Sequence, residues 1–230
     1  MRSPKTALIL VGSAKPAGQS TSEVLGRYLG QQLQARGLSV ATMHVARALR
    51  TPERTAALLR AVDSADLFIL AFPLYVDALP YLAVEALERL AAHRQVMPAP
   101  APTTFLAIAN CGFPEAHHNQ TALEICEQFA AAAAMTWAGG LALGAGGAVH
   151  GQPLAAENGM TRHVARALDL TAAALAAGEA APAEAVSLMA QPLIPQRMYL
   201  VMGEIGWRMQ ALRNGVLHRL RARPLANHAQ

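Results

Sequence analysis

Ser13, Lys15, Ser20 and Thr21 fall in one short segment, GSAKPAGQSTSE, between an apolar run at residues 7–11 and a helical pattern. Hydroxyls and an ammonium at a helix start suit an anion. The first turn of a helix carries N–H groups without intrahelical partners and the positive end of the dipole. The same residues fit a purely local role, because Ser20 and Glu23 have the spacing of a capping box, which closes a helix start unaided. Glu23 would also mildly oppose an anion. Both readings stand on the local sequence. Two nucleotide-binding patterns do not fit: Gly18 is followed by Gln19 where a P-loop needs lysine, and no Gly-x-Gly-x-x-Gly turn follows the run. A loop richer in hydroxyls than in glycines suits a terminal monophosphate better than a pyrophosphate lying against the backbone.

Three other segments close apolar runs: FPLYVDALP at 72–80, ANCGFPE at 109–115 and GAGGAVHG at 144–151. Tyr75 offers a ring face, with covering the sheet end as its plain alternative, and Gly112 permits close backbone approach. Cys111 has no base placed beside it by the sequence, and a buried cysteine behaves as a small hydrophobe. Glu115, His117 and His118 suggest a metal, but adjacent histidines on a helix point in different directions and no second ligand pair has useful spacing. They are expected at an exposed helix start, and no metal site is expected. His150 faces either a ligand or solvent, and solvent is the favoured reading.

The elements that must position these residues alternate. Strands are expected at 7–11, 38–44, 67–72, 104–109 and 135–143, and helices at 20–36, 52–64, 80–94, 117–134 and 157–177. Strands that read as near-continuous apolar runs are buried on both faces, and their alternation with helices predicts a parallel sheet of βαβ units. Such a doubly wound sheet takes its ligand beyond the carboxyl ends of the strands, which singles out the loops after strands one, three, four and five. The uncharged stretch between Glu127 and Glu157 is long enough to span a bilayer, but its glycines divide it into helix end, strand and loop.

A chain of 230 residues, 53% hydrophobic and 15% charged, suits one globular domain, or one domain with an extension. Cys111 and Cys126 make no disulfide framework, which points to a reducing, cytoplasmic setting. Arg2 and Lys5 ahead of residues 7–11 imitate a secretory signal, but the apolar core is short for one.

Together VGSAKPAGQSTSE, FPLYVDALP and ANCGFPE resemble the flavodoxin-like NAD(P)H-dependent oxidoreductases, the group that includes NADPH-dependent FMN reductases. The resemblance covers about residues 6–178. It implies an α/β flavodoxin-like doubly wound sheet of five parallel strands, FMN as cofactor, and NAD(P)H as co-substrate. By position it implies that Ser13, Lys15, Ser20 and Thr21 serve the FMN phosphate. Pro73, Leu74, Tyr75, Val76 and Asp77 would flank one side of the isoalloxazine ring, and Asn110, Cys111, Gly112 and Phe113 another. The family's loop often has asparagine where Gln19 or Ser20 stands. The activity implied is electron transfer from NAD(P)H through flavin to a small acceptor, quinone-like or other; the alternative is a flavodoxin-like binding or interaction module without redox catalysis. No catalytic side chain is demanded, since the flavin carries the chemistry.

Residues 1–181 form the expected domain and 182–230 a basic amphipathic extension, with 6 Lys+Arg against 2 Asp+Glu, where 1–181 balance at 13 each. Pro182, Pro192 and Pro195 read as a linker. Met198, Val201, Met202, Ile205, Met209 and Leu212 recur at helical spacing, Arg197 and Arg208 lie on another face, and Asn214-Gly215 ends the helix. Arg219, Arg221 and Arg223 follow. Such a helix docks on its own domain or on a second subunit of a homodimer, or lies on an anionic membrane. Gly203 and Gly206 weaken a free helix and favour docking. Nucleic acid is not expected, as no binding motif accompanies the small basic cluster.

Overall fold

The structure, a computed structural model, describes residues 3–97, 101–149, 152, 154 and 159–222. His150, the expected helix start at 157 and Arg223 lie outside the described residues.

Five strands form one parallel sheet: β1 (Thr6–Val11), β2 (Ser39–His44), β3 (Leu67–Pro73), β4 (Thr104–Asn110) and β5 (Thr136–Leu143). Their order across the sheet is β2-β1-β3-β4-β5. The helices are α1 (Thr21–Gln34), α2 (Val45–Ala48), α3 (Pro52–Asp63), α4 (Tyr81–Val96), α5 (Gln120–Ala132), α6 (Arg162–Ala176), α7 (Ala183–Met189) and α8 (Gln196–Arg213). Three-residue connections cannot join parallel neighbours, so each crossover carries a helix that covers a sheet face.

Alternate residues explain the continuous apolar runs. Leu8, Leu10, Phe68, Leu70, Phe72, Phe105, Ala107 and Ala109 pack with Leu58 and Val62 of α3, Leu87 and Leu90 of α4 and Phe129 of α5 in one buried cluster. The residues between them, such as Ile9, Ile69, Leu106 and Ile108, are equally buried. On that second face α1 approaches closely: a Cβ on Gly26 or Gly30 would stand 3.0 and 2.9 Å from the Ile9 side chain. Glycine there brings the helix backbone down onto β1, which fixes where its N-terminus emerges.

The boundaries differ from expectation in physically traceable ways. A short 3-10 turn, Ala116–Asn119, precedes α5, so that helix begins at Gln120 rather than His117. The uncharged stretch resolves into the end of α5, then β5, then a glycine loop, and no helix among the described residues is long and apolar enough to cross a membrane. The first compact unit ends at Leu193, beyond the expected boundary at 181/182. The reason is α7, whose Ala185 and Met189 are buried, preceded by a bond from the Ala181 N–H to the Ala138 carbonyl of β5 at 2.8 Å.

Residues 194–230 make the second unit. Within it α8 ends as its sequence suggests: Asn214 is the C-cap and Gly215 takes the left-handed conformation at φ 66°. The Val216 N–H returns to the Ala211 carbonyl at 2.9 Å, and Arg208 pairs with Glu204 one turn before it.

Candidate functional site

The strand order places a switch point between β1 and β3, whose crossovers leave toward opposite sides. There the loop after β1 enters α1. Ser20 is the N-cap, its Oγ accepting from the Glu23 N–H at 3.1 Å. The reciprocal half of the capping box is not made. The Glu23 carboxylate instead accepts from the Gly18 N–H at 2.6 Å and stands 3.8 Å from His44 Nε2. Among the described residues no acceptor meets the N–H groups of Ser20, Thr21 or Ser22. The cap and an open set of donors therefore coexist, where the sequence offered them as alternatives.

These donors border a cavity of about 110 Å³ that three expected loops build together. Ser13, Lys15, Ser20 and Thr21 line it from the loop after β1, Pro73 and Tyr75 from the loop after β3, and Asn110, Cys111 and Gly112 from the loop after β4. Ser22 and Gly147 line it too, and the sequence reading assigned neither. Several of the side chains are engaged with the protein itself. The Ser13 hydroxyl accepts from the Lys15 N–H at 3.2 Å, and the Thr21 hydroxyl donates to the Gly146 carbonyl at 2.7 Å. Asn110, buried at the end of β4, donates through Nδ2 to Ser22 Oγ at 2.8 Å and to the Phe72 carbonyl at 3.0 Å.

Leu74, Val76, Asp77 and Phe113 do not line the cavity. Leu74 is tied to β4 through its N–H, which donates to the Asn110 carbonyl at 2.8 Å. Val76 and Asp77 form the two central residues of a tight turn closed by paired Tyr75 and Ala78 backbone bonds of 2.9 and 3.2 Å. Both have positive φ, 50° and 60°. That geometry favours Asn-Gly, and a β-branched valine in it is strained. The turn leaves Val76 97% exposed, and Tyr75 and Phe113 are about half exposed beside it in sequence or across the sheet end.

Cys111 is buried, its Sγ donating to the Phe113 carbonyl at 3.4 Å, and burial pushes its thiol pKa up. Burial pushes the Cys126 thiol up to about 12. Neither is suited to nucleophilic attack. The native protein should therefore consume no thiol reagent at neutral pH and release both thiols on unfolding in urea; reaction of Cys111 in the native state would overturn this assignment. His117 and His118 do not diverge as a regular helix would make them. On the 3-10 turn their rings lie 4.4 Å apart, and Phe113 sits 4.8 Å from His118. Among the described residues no group of three His, Cys, Asp or Glu could hold a metal.

A parallel five-stranded sheet in the order 2-1-3-4-5, with its cavity at the switch point, defines the flavodoxin-like α/β fold. Solved structures agree. An azoreductase from Bacillus anthracis str. Sterne superposes with a TM-score of 0.50 at 13% identity, over 75% of this chain and 98% of its own. A flavodoxin from Streptococcus pneumonia TIGR4 does so with a TM-score of 0.50 at 15% identity, over the same shares of 75% and 98%. A flavone reductase matches at 0.49 and 10% identity over 58% of this chain, which spans 52% of that protein's length. At these identities the likeness is one of fold. No protein-family model matches the chain, and no curated protein does.

Proposed function

We propose that the protein is a flavin-dependent oxidoreductase that binds FMN at the carboxyl end of its sheet and passes electrons from NAD(P)H to a small acceptor, quinone-like or other. The observation that carries this reading is that Ser20, Thr21 and Ser22, whose N–H groups meet no acceptor among the described residues, line a cavity of about 110 Å³ together with Lys15. A cavity of that size suits a phosphate group, not a whole mononucleotide, so the rest of FMN would extend over Tyr75 and Gly112 toward the open sheet end. Bound FMN supplies hydride and single-electron chemistry at its ring. This chain's residues hold it: Lys15 and the first turn of α1 take the anion, and the loops after β3 and β4 border the ring. Structural neighbours named azoreductase, flavodoxin and flavone reductase support the same class. The buried free thiols suit a reducing compartment.

Flavin titration tests it. Stripped protein should bind FMN more tightly than riboflavin, which lacks the phosphate. Lys15→Ala combined with Ser20→Ala should weaken FMN by at least about tenfold, since a charge-assisted hydrogen bond contributes roughly 1.5–3 kcal/mol, and should spare riboflavin. Ser20→Ala also removes a cap worth about 1 kcal/mol, so the melting temperature without flavin is measured alongside. A protein that binds neither flavin is a flavodoxin-like module without this activity, and equal losses for both flavins would reduce the loop to a helix cap.

A further inference from the structure

The bonds around Asn110 deepen that reading, on which the following inference rests. An amide Nδ2 has only hydrogens to offer, and Asn110 spends both: one on the Phe72 carbonyl at 3.0 Å, one on Ser22 Oγ at 2.8 Å. The Phe72 carbonyl can only accept, which fixes which end of the amide points at Ser22. Ser22 Oγ is therefore an acceptor in that bond, and its own hydrogen must be donated elsewhere. No acceptor among the described residues takes it. Ser22 is 1% exposed and lines the cavity, so the cavity is where that hydrogen goes.

We infer that Asn110 is a positioning residue, which acts through Ser22 to add a hydroxyl donor to the open N–H groups at the first turn of α1. A lone serine hydroxyl is ambivalent: it offers a hydrogen or a lone pair. Asn110 biases the choice by occupying one of the hydroxyl's two lone pairs, so that Ser22 turns its hydrogen toward a phosphate oxygen beside the N–H groups of Thr21 and Ser22. Asn110 itself stays out of ligand contact through Nδ2. Gly146 completes the arrangement, because a Cβ there would stand 2.8 Å from Asn110 Oδ1. Only a residue without one leaves the amide in place.

The test measures the ratio of the riboflavin to the FMN dissociation constant, which reports phosphate recognition and is insensitive to a uniform loosening of the fold. Ser22→Ala should lower the ratio by about tenfold, Asn110→Ala should lower it by no more than that, and the double variant should lower it no further than Ser22→Ala alone, because Asn110 acts only through the Ser22 hydroxyl. Gly146→Ala, which keeps every polar group and only displaces the amide, should lower it as well and serves if Asn110→Ala does not fold. The inference is overturned if Asn110→Ala and Gly146→Ala keep the wild-type ratio while Ser22→Ala lowers it, or if the two alanine effects multiply. A wild-type protein without preference for FMN would instead sink the parent reading before Asn110 is at issue.

Discussion

Replacing Asp63 by alanine should destabilise the protein by about 3 kcal/mol, the scale expected when one member of a buried ion pair is removed. The Asp63 carboxylate at the end of α3 accepts from Arg94 Nε at 3.1 Å and meets His93 Nε2 at 2.7 Å, both on α4. Arg94 is almost wholly buried, and its other donors go to Thr103 Oγ1 at 2.8 Å and the Ala133 carbonyl at 3.4 Å. Taking away Asp63 leaves a guanidinium that burial separates from water, whereas Arg94→Met removes the charge and keeps most of the volume. The alanine variant should therefore lose more than Arg94→Met. Urea unfolding with an unchanged slope measures both. A cost for Asp63→Ala below about 1 kcal/mol, as for a solvated surface pair, would refute the assignment.

Phe105→Ala should cost about 3–5 kcal/mol, the range for truncating a fully buried aromatic residue. Phe105 lies in β4, fully buried within the cluster under α3, α4 and α5. Its ring stacks on Phe68 with centroids 5.1 Å apart, meets Phe129 edge-on at 5.2 Å and touches Trp137 at 5.5 Å. Those three partners come from β3, α5 and β5, so no single side chain can slide in to fill the space. Phe105→Leu should cost less than half as much, because it keeps most of the contact. Chemical denaturation decides between them, and an alanine variant within about 1.5 kcal/mol of wild type would mean that the cluster collapses around the gap.

The parallel sheet was legible because burial on both faces writes itself as an unbroken apolar run, as in Leu67 to Phe72. Helix starts were legible where a side chain caps them, as Ser20 does for α1 and Thr51 for α3. Helix α7 was not, because its burial depends on the edge of β5 and on α6, and nothing in AEAVSLM after Pro182 announces those neighbours. The site divides the same way. Residues at strand ends followed from topology, which brings Ser13, Pro73 and Asn110 to one cavity. Ser22 was missed because a serine in the second helical position looks like any other, and the partner that gives it direction is 88 residues away. Val76 and Asp77 were assigned to the ring by their place in the loop. Their turn conformation, unusual for valine, keeps them off the cavity wall, and local sequence gives no sign of it.

The position of β1 between β2 and β3 matters in time as well as in space. As the chain leaves the ribosome, β1 gains its first neighbour with β2, but its other edge waits for residues 67–71. Until then an apolar strand shows an unpaired edge, the kind of surface through which partly made chains associate. Parallel pairing cannot shorten the wait with a hairpin. What it has is an anchor at the right place: Asp66, immediately before β3, accepts from the N–H groups of Lys5 and Thr6 at 2.8 and 2.9 Å and from the Thr6 hydroxyl at 2.9 Å. The residue that first meets the waiting edge thus fixes the register of the whole pairing, and a slip by one position would forfeit all three bonds at once.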